Sequence, residues 1–97
     1  MTIKVSVLMT VFNAENFIKY SVSSIIRQSF SDWELIVVDD CSQDNSLEII
    51  RSFKNKKIKI YKLKKHFGRT RALNYGLHKC KGKYVAILDT DDIAKKN

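Results

Sequence analysis

The chain has 97 residues, enough for one small domain, and its 44% hydrophobic and 29% charged residues are typical of globular rather than disordered proteins. The formal charge is +8, and two cysteines are too few for a disulfide framework. The apolar runs are shorter than a membrane span and the N-terminus does not have the order of a signal peptide, so we expect a cytoplasmic protein.

The first part of the chain contains two predicted strands and a helix between them. Residues 3–9 are nearly all apolar, which is typical of a strand covered on both faces. Apolar residues then recur at helical spacing and predict a helix over about 14–28. Residues 33–38 form a second apolar run and predict a second buried strand.

The second part continues the alternation of helices and strands. Asn45 and Glu48 are spaced as a capping box at the start of a second helix. Residues 58–63 alternate lysine with apolar residues, which predicts a strand with one charged face. A third helix is expected within 68–82, and the apolar run 84–88 predicts a fourth strand covered on both faces.

This order of elements predicts a Rossmann-like, three-layer α/β/α fold with a mostly parallel sheet, as a single domain over residues 1–97. The usual strand order for such a unit is 3-2-1-4, which places the lysine-rich third strand at an edge. Lysines on an edge strand discourage aggregation between sheets, so the charge pattern agrees with this order.

Acidic residues follow the second and fourth strands, at the edge of a parallel sheet where ligands bind. Carboxylates gathered there would repel one another, and a hard divalent cation such as Mg²⁺ or Mn²⁺ would relieve this repulsion. The alternative is that these residues form turns and helix caps. The residues concerned are Asp39, Asp40, Asp89, Asp91 and Asp92.

Basic residues lie in two places. Arg69 and Arg71 are at the start of the third helix, where guanidinium groups suit phosphate oxygens, although they could equally be exposed helix formers. A basic block could contact an anionic membrane surface or could be the solvated face of the edge strand. Nucleic acid is not expected, because aromatic residues are not interleaved with these lysines beyond Tyr61 and Phe67. The basic block consists of Lys54, Lys56, Lys57, Lys59, Lys62, Lys64 and Lys65.

Four motifs occur in order along the chain. Residues 5–15 are an apolar strand that ends in Phe-Asn-Ala-Glu, and residues 24–46 contain Glu-Leu-Ile-Val-Val-Asp-Asp. Residues 68–76 match G-x-x-x-A-x-N-x-G, and residues 82–92 match G-x-Y-V-x-x-L-D-x-D-D. Together they resemble the family-2 glycosyltransferases with the GT-A fold, over almost the whole chain.

The resemblance implies a nucleotide-diphosphate sugar donor, UDP-sugar above all, and transfer of the sugar to an acceptor hydroxyl in polysaccharide or glycolipid synthesis. It also implies roles for individual residues. Thr10, Phe12 and Glu15 would border the nucleoside pocket, and Asp40 would accept a hydrogen bond from the base. Arg71, or else Arg69, would approach the base or the diphosphate, Asp89 would face the ribose or the sugar, and Asp91 would hold Mn²⁺ or Mg²⁺.

The chain differs from the family pattern at two positions, and it matches only the first part of that pattern. Thr10 replaces a frequent Pro, and Cys41 replaces a frequent Gly, so the backbone of the second turn is expected to differ. Members of the family continue into an acceptor-binding half that supplies the base for inverting transfer, and no residue up to Asn97 can be assigned that role. We therefore expect a truncated, donor-binding fragment with little activity alone, cytoplasmic or peripheral at the inner face of a membrane. The alternative is a catalytically silent module that binds nucleotides or a membrane surface.

Overall fold

A computed structural model describes residues 3–27 and 32–89 of the chain. Four strands and three helices alternate in this part, and the strands form one sheet in the order β3-β2-β1-β4. This confirms the predicted alternation and the predicted strand order. The elements are β1 (Val5–Val11), α1 (Ile18–Ile26), β2 (Trp33–Asp39), α2 (Ser46–Ser52), β3 (Ile58–Lys62), α3 (Arg69–Leu77) and β4 (Tyr84–Leu88).

All neighbouring strands run parallel. At the start of the central strand, Val5 of β1 is paired with Trp33 of β2 and with Tyr84 of β4. At the outer edge, Leu35 of β2 is paired with Ile58 of β3. Because the strands are parallel, the loops that follow β1, β2 and β4 all emerge at the carboxyl edge of the sheet.

Both faces of the sheet carry apolar residues, and helices cover them. Odd-numbered residues of β1 and β2, such as Val7 and Leu35, form one core with Ile18, Val22 and Ile50 of α1 and α2. Even-numbered residues on the opposite face form a second core with α3, made of Leu8, Ile36, Val38 and Ala72. Burying one such side chain stabilises the fold by roughly 1.5–3 kcal/mol. Helices therefore pack on both faces of the sheet, which gives three layers.

The first helix is shorter than predicted. It begins at Ile18 rather than at residue 14, because the backbone at Phe17, with φ −120° and ψ −26°, is not helical, and residues 15–17 form a turn. The N–H of Ala14, before this turn, donates to the Ser46 hydroxyl at 2.8 Å. The predicted end at residue 28 lies outside the described residues.

The predicted capping box of the second helix is wrong. Asn45 lies at the N-cap position, but its side chain makes no capping hydrogen bond. The preceding residue makes the side-chain hydrogen bond instead, since Asp44 Oδ1 accepts hydrogen bonds from the N–H of Ser46 at 2.9 Å and from its hydroxyl at 2.6 Å. Sequence spacing therefore located the helix start and assigned its side-chain bond to the wrong residue.

The fourth strand is not covered on both faces, contrary to the prediction. Tyr84, Val85 and Ile87 are all exposed. On the face that carries Val85 and Ile87 the reason is the position of α3, which packs mainly on β1 and β2. Within the described residues, no helix is long and apolar enough to cross a membrane.

A buried carboxylate joins the sheet to the turn after α3, at the amino edge of the strands. Glu34 is 2% exposed, and its Oε2 accepts hydrogen bonds from the Ser6 hydroxyl at 2.6 Å and from the Lys81 N–H at 2.7 Å. The Ser6 hydroxyl in turn accepts from the N–H of Gly82 at 2.8 Å. A Cβ atom at Gly82 would lie 2.6 Å from the Ser6 backbone nitrogen, so this close approach requires glycine.

Candidate functional site

Two loops interlock at the carboxyl edge of the sheet. The N–H of Asn13, after β1, donates to the Ser42 hydroxyl at 3.0 Å, and the Asn13 side-chain oxygen accepts from the N–H of Gln43 at 2.7 Å. These reciprocal bonds fix the chain that follows β1 against the chain that follows β2. They thereby hold the neighbouring residues of both loops in place.

Glu15 belongs to the same interlock. Its N–H donates to Asp44 Oδ2 at 3.1 Å, and its own Oε1 accepts from the N–H of Asn45 at 3.1 Å. Desolvation alone would raise the pKa of Asp44, but the hydrogen bonds from Ser46 and Glu15 outweigh it and hold the pKa below its usual value of 3.8. The carboxylate of Glu15, which the resemblance places at the nucleoside pocket, thus connects two loops in this structure.

The two consecutive aspartates after β2 have different partners. Asp39 is fully buried and accepts hydrogen bonds from the hydroxyl of Ser42 at 2.6 Å and from its N–H at 3.2 Å, which makes it a turn residue. Cys41, in the turn between Asp39 and Ser42, has φ +64°, a conformation that glycine adopts more readily. The backbone of this turn therefore keeps the conformation that glycine favours, although the residue is cysteine.

Asp40 holds the loop that precedes α3. It is only 2% exposed, and its two oxygens accept hydrogen bonds from the N–H groups of Phe67 at 2.8 Å and Gly68 at 2.9 Å. Gly68 has φ +97° and ψ 162°, a region that is essentially restricted to glycine. The glycine before α3 therefore lets two successive N–H groups converge on one carboxylate.

His66 completes the surroundings of Asp40. Its Nδ1 lies 2.7 Å from Asp40 Oδ2, and its ring stacks on Phe12 with 4.0 Å between centroids and 29° between ring planes. No sequence pattern indicates this role, because both partners are distant along the chain and His66 has no neighbour at a recognisable spacing.

A cleft of about 420 Å³ opens beside these residues. Arg69 crosses it, and its Nε and Nη2 lie 3.1 and 2.8 Å from Oδ1 of Asp89. An aromatic wall and a charged pair thus face the same space. The cleft is lined by Thr10, Phe12, Asn13, Ala14, Phe17, Arg69 and Asp89.

The structure brings together some of the predicted site residues and separates others. Thr10, Phe12 and Asp89 line the cleft, whereas Asp40 does not line it and is linked to Phe12 through the ring of His66. Arg71 is not among the lining residues, and its guanidinium lies 5.7 Å from the ring centroid of Phe67. Arg69, the second choice from the resemblance, is the arginine that lies in the cleft.

The predicted metal ligand lies outside the described residues, as does Asp92. Within the ranges 3–27 and 32–89, no group of three acidic, histidine or cysteine side chains is placed to hold a metal ion. Asp89 contributes one carboxylate to the cleft, whereas Asp39 and Asp40 are bonded elsewhere. The assignment of Asp91 to a metal remains a prediction.

A parallel sheet in the order 3-2-1-4, with a ligand-sized cleft at its carboxyl edge, is the arrangement of the nucleotide-binding part of GT-A glycosyltransferases. The sequence profile of glycosyl transferase family 2 matches residues 6–97, and the chain belongs to this family.

Relatives and solved structures agree with this assignment. The chain is 38% identical over 89 residues to the Escherichia coli UDP-Glc:alpha-D-GlcNAc-diphosphoundecaprenol beta-1,3-glucosyltransferase WfgD, covering 92% of this chain and 35% of WfgD. S. aureus TarS in complex with UDP-GlcNAc superposes with a TM-score of 0.87 at 33% identity, over 91% of this chain and 26% of TarS. The Pyrobaculum calidifontis mannosyltransferase PcManGT shares the fold, with a TM-score of 0.86 at 24% identity over 94% of this chain and 28% of the other. The chain thus spans about a third or less of the length of these proteins.

Proposed function

We propose that this chain forms the donor-binding part of a glycosyltransferase that takes a nucleotide-diphosphate sugar, UDP-sugar in the first place, and transfers the sugar to an acceptor hydroxyl. One observation carries the proposal. At the carboxyl edge of the sheet, the exposed ring of Phe12 and the guanidinium of Arg69 line one cleft, and His66 links Phe12 to the buried carboxylate of Asp40 by stacking on the ring and contacting the carboxylate. Phe12 and Asp40 suit the base of a nucleoside diphosphate, and Arg69 suits its diphosphate.

The nucleoside would bind at Phe12 and Asp40. Phe12 is 45% exposed, which is high for a phenylalanine, and a base can stack on its ring. An ionised carboxylate only accepts hydrogen bonds, so Asp40 suits a base that presents a ring N–H, as uracil does. Thr10, on the wall of the same cleft, would border this pocket.

The diphosphate would bind near the start of α3. Arg69 lies in the cleft, and its planar guanidinium matches phosphate oxygens better than a lysine would. Arg71 is two residues further along the helix and would need to turn away from Phe67 to reach the diphosphate. Asp89, now paired with Arg69, would face the ribose or the sugar.

A divalent cation, Mn²⁺ or Mg²⁺, belongs to this proposal. Carboxylate oxygens are the ligands that both ions prefer, and Asp91 would hold the ion close to Asp89, which contributes the described carboxylate of the cleft. When bound, such an ion neutralises charge on the departing nucleoside diphosphate. The residues described in the structure would bind and orient the donor.

The acceptor and the catalytic base are proposed for the rest of a full-length protein. The name of the Escherichia coli relative describes a lipid-linked acceptor, and we propose an acceptor of that class, used in polysaccharide or glycolipid synthesis. Such acceptors lie at a membrane surface, where the basic block on β3 and its flanking loops would face anionic lipid. Inverting transfer at the cytoplasmic face is the arrangement we infer.

Calorimetric titration of the chain with UDP, with and without Mn²⁺, tests the donor site. We expect Phe12→Ala to weaken UDP binding about tenfold, through the loss of stacking on the base. Asp40→Asn should weaken it about ten- to hundredfold, because a hydrogen bond to a charged acceptor is lost. Tyr20→Ala is the matched control, since Tyr20 is an exposed aromatic residue on α1 that does not line the cleft. Failure of the unaltered chain to bind UDP would refute the proposal.

A second candidate, a catalytically silent module at a membrane surface, rests on the exposed lysines of the basic block. Co-sedimentation of the chain with vesicles that contain phosphatidylserine tests it. Binding to these vesicles together with an absence of UDP binding would favour this candidate. UDP binding that Asp91→Ala abolishes in the presence of Mn²⁺ would favour the transferase.

A further inference from the structure

His66 presents to its neighbours the two features that a nucleobase would present. Its planar ring stacks on Phe12 at 4.0 Å between centroids. A ring nitrogen of the same side chain, Nδ1, lies within hydrogen-bond distance of Asp40 Oδ2, at 2.7 Å. Stacking on Phe12 and an N–H directed at Asp40 are also the two interactions that the proposed function requires of the base.

The acceptor capacity of Asp40 is limited. A carboxylate oxygen has two lone pairs in the plane of the group. Oδ2 already accepts the N–H of Gly68 at 2.9 Å and the Nδ1 of His66 at 2.7 Å, and Oδ1 accepts the N–H of Phe67 at 2.8 Å. A base that donates to Oδ2 must therefore replace His66, because the two backbone donors are fixed by the loop. A base that used the lone pair left on Oδ1 would still meet the His66 ring on the face of Phe12 that it stacks on.

We propose that His66 is an internal occupant of the nucleoside subsite, and that the base of the donor binds by displacing its imidazole ring from Phe12 and Asp40. This inference rests on the proposed function, because it takes the position of the base from that site. The His66 ring and the base of the donor compete for the same two partners, Phe12 and Asp40. Part of the donor's binding energy is used to expel a side chain, so the affinity for the nucleoside is set partly by His66.

The surroundings of His66 allow this displacement. Its side chain is 54% exposed and lies in the loop between β3 and α3. The backbone bonds from Phe67 and Gly68 to Asp40 do not involve the imidazole, so the ring can rotate outwards while the loop stays attached. The cost is one hydrogen bond to the carboxylate and one ring contact, both of which the incoming base replaces, together with the 3.3 Å contact of Nδ1 with the Asp40 carbonyl oxygen.

His66→Ala separates competition from the other roles that His66 could have. Removing a competitor should tighten UDP and uridine binding by between about threefold and thirtyfold, the combined worth of the hydrogen bond and the ring contact. Inorganic pyrophosphate, which carries no base, should bind with unchanged affinity. His78→Ala is the matched control, because His78 is an exposed histidine on the turn after α3 whose Nδ1 contacts the Asn74 carbonyl at 2.8 Å.

A second variant and a direct observation complete the test. His66→Phe keeps a ring for Phe12 but has no donor for Asp40, so its gain in UDP affinity should be smaller than that of His66→Ala. In the unaltered chain, the imidazole ¹⁵N resonances of His66 should shift on titration with uridine as Nδ1 loses its bond to Asp40.

Each outcome decides between the two proposals. Unchanged or weaker UDP binding by folded His66→Ala, or ¹⁵N resonances that do not move while uridine binds, would overturn the role of His66 and leave the donor site intact. Absence of UDP binding by the unaltered chain and by both variants would overturn the donor site itself, and the competition with it.

Discussion

The two ends of α3 are held by the same chemistry with different consequences. Before the helix, Asp40 accepts the N–H groups of two loop residues, and after the helix, Glu34 accepts the N–H of Lys81. Both carboxylates are 2% exposed. The side-chain partners differ, because Glu34 accepts a hydrogen bond from the buried hydroxyl of Ser6 and lies 3.9 Å from the Nζ of Lys59, whereas Asp40 contacts the exposed ring of His66.

This difference separates a structural carboxylate from one that can bind a ligand. A buried polar group is costly if it loses its partner, so both carboxylates must stay satisfied. The two hydrogen-bond donors of Glu34 belong to the sheet and to a close turn and cannot be replaced without opening the core, and the Nζ of Lys59 lies at the longer distance of 3.9 Å. The side-chain partner of Asp40 faces solvent and can be exchanged. We therefore expect mutations at the Glu34 end to change stability and mutations at the Asp40 end to change binding as well.

Glu34→Ala should give the largest effect. It removes the acceptor of the Ser6 hydroxyl and the Lys81 N–H, so we expect the free energy of unfolding to fall by about 3 kcal/mol. Urea unfolding followed by circular dichroism measures this loss. Glu48→Ala, at an exposed glutamate on α2, should change stability by less than about 0.5 kcal/mol. Similar losses for both variants would contradict the structural role of Glu34.

Gly68→Ala tests the other end of the helix. With φ +97° an L-residue is strained, so we expect a loss of about 1–3 kcal/mol and, because Asp40 then loses its aligned N–H donors, weaker UDP binding. Thr70→Ala, in the first turn of the same helix, is the control. If stability fell and UDP affinity did not, the Asp40 end would be as purely structural as the Glu34 end.

Much of the fold could be predicted from the sequence, because it depends on periodicity. The apolar runs and helical stripes predicted all seven elements, and β4 was predicted with its observed bounds, Tyr84–Leu88. The errors arose where a tertiary contact decided the outcome. The early start of α1 was wrong because the backbone leaves the helical conformation at Phe17, beside the bond from Ala14 to Ser46. The full cover predicted for β4 was wrong because α3 packs mainly on β1 and β2.

The site was less predictable than the fold. Phe12 and Asp40 could be selected from motifs, and the structure places Phe12 in the cleft. His66 could not be selected, since its role exists only through two partners that folding brings to it. The choice between Arg69 and Arg71 likewise depends on helix orientation, which adjacent positions in a sequence do not reveal.

Cys41→Gly should raise stability slightly at the Asp40 end. Cys41 has φ +64°, and the relief of this strain exceeds the entropy that glycine costs, for a net gain of about 0.5–1 kcal/mol. Cys41→Ala is the matched control, because it removes the thiol and keeps the strain. Thermal melts of the two variants measure the difference in stability. An equal change in stability in both would mean that the effect comes from the thiol and not from the backbone.

The smallest effect concerns acid pH and the interlocked loops beside Asp40. Because hydrogen bonds from Ser46 and Glu15 outweigh desolvation, the pKa of Asp44 in the folded chain lies below its ordinary value of 3.8. The ionised form therefore stabilises the fold above that value, and this contribution is lost as the pH falls through the pKa of the folded state. Asp44→Asn should destabilise the chain at neutral pH, and the gap to the unaltered chain should narrow in acid.

Thermal melts across the acid range measure this gap, with Glu48→Gln as the control acid on α2. A gap that stays constant down to pH values below 3.8 would mean that Asp44 acts through its shape and not its charge. The contribution of Asp44 to the contact between the two loops would then not depend on its charge. The charge of Asp40 would matter where that of Asp44 does not, which would sharpen the contrast between the Asp40 end of α3 and the Glu34 end.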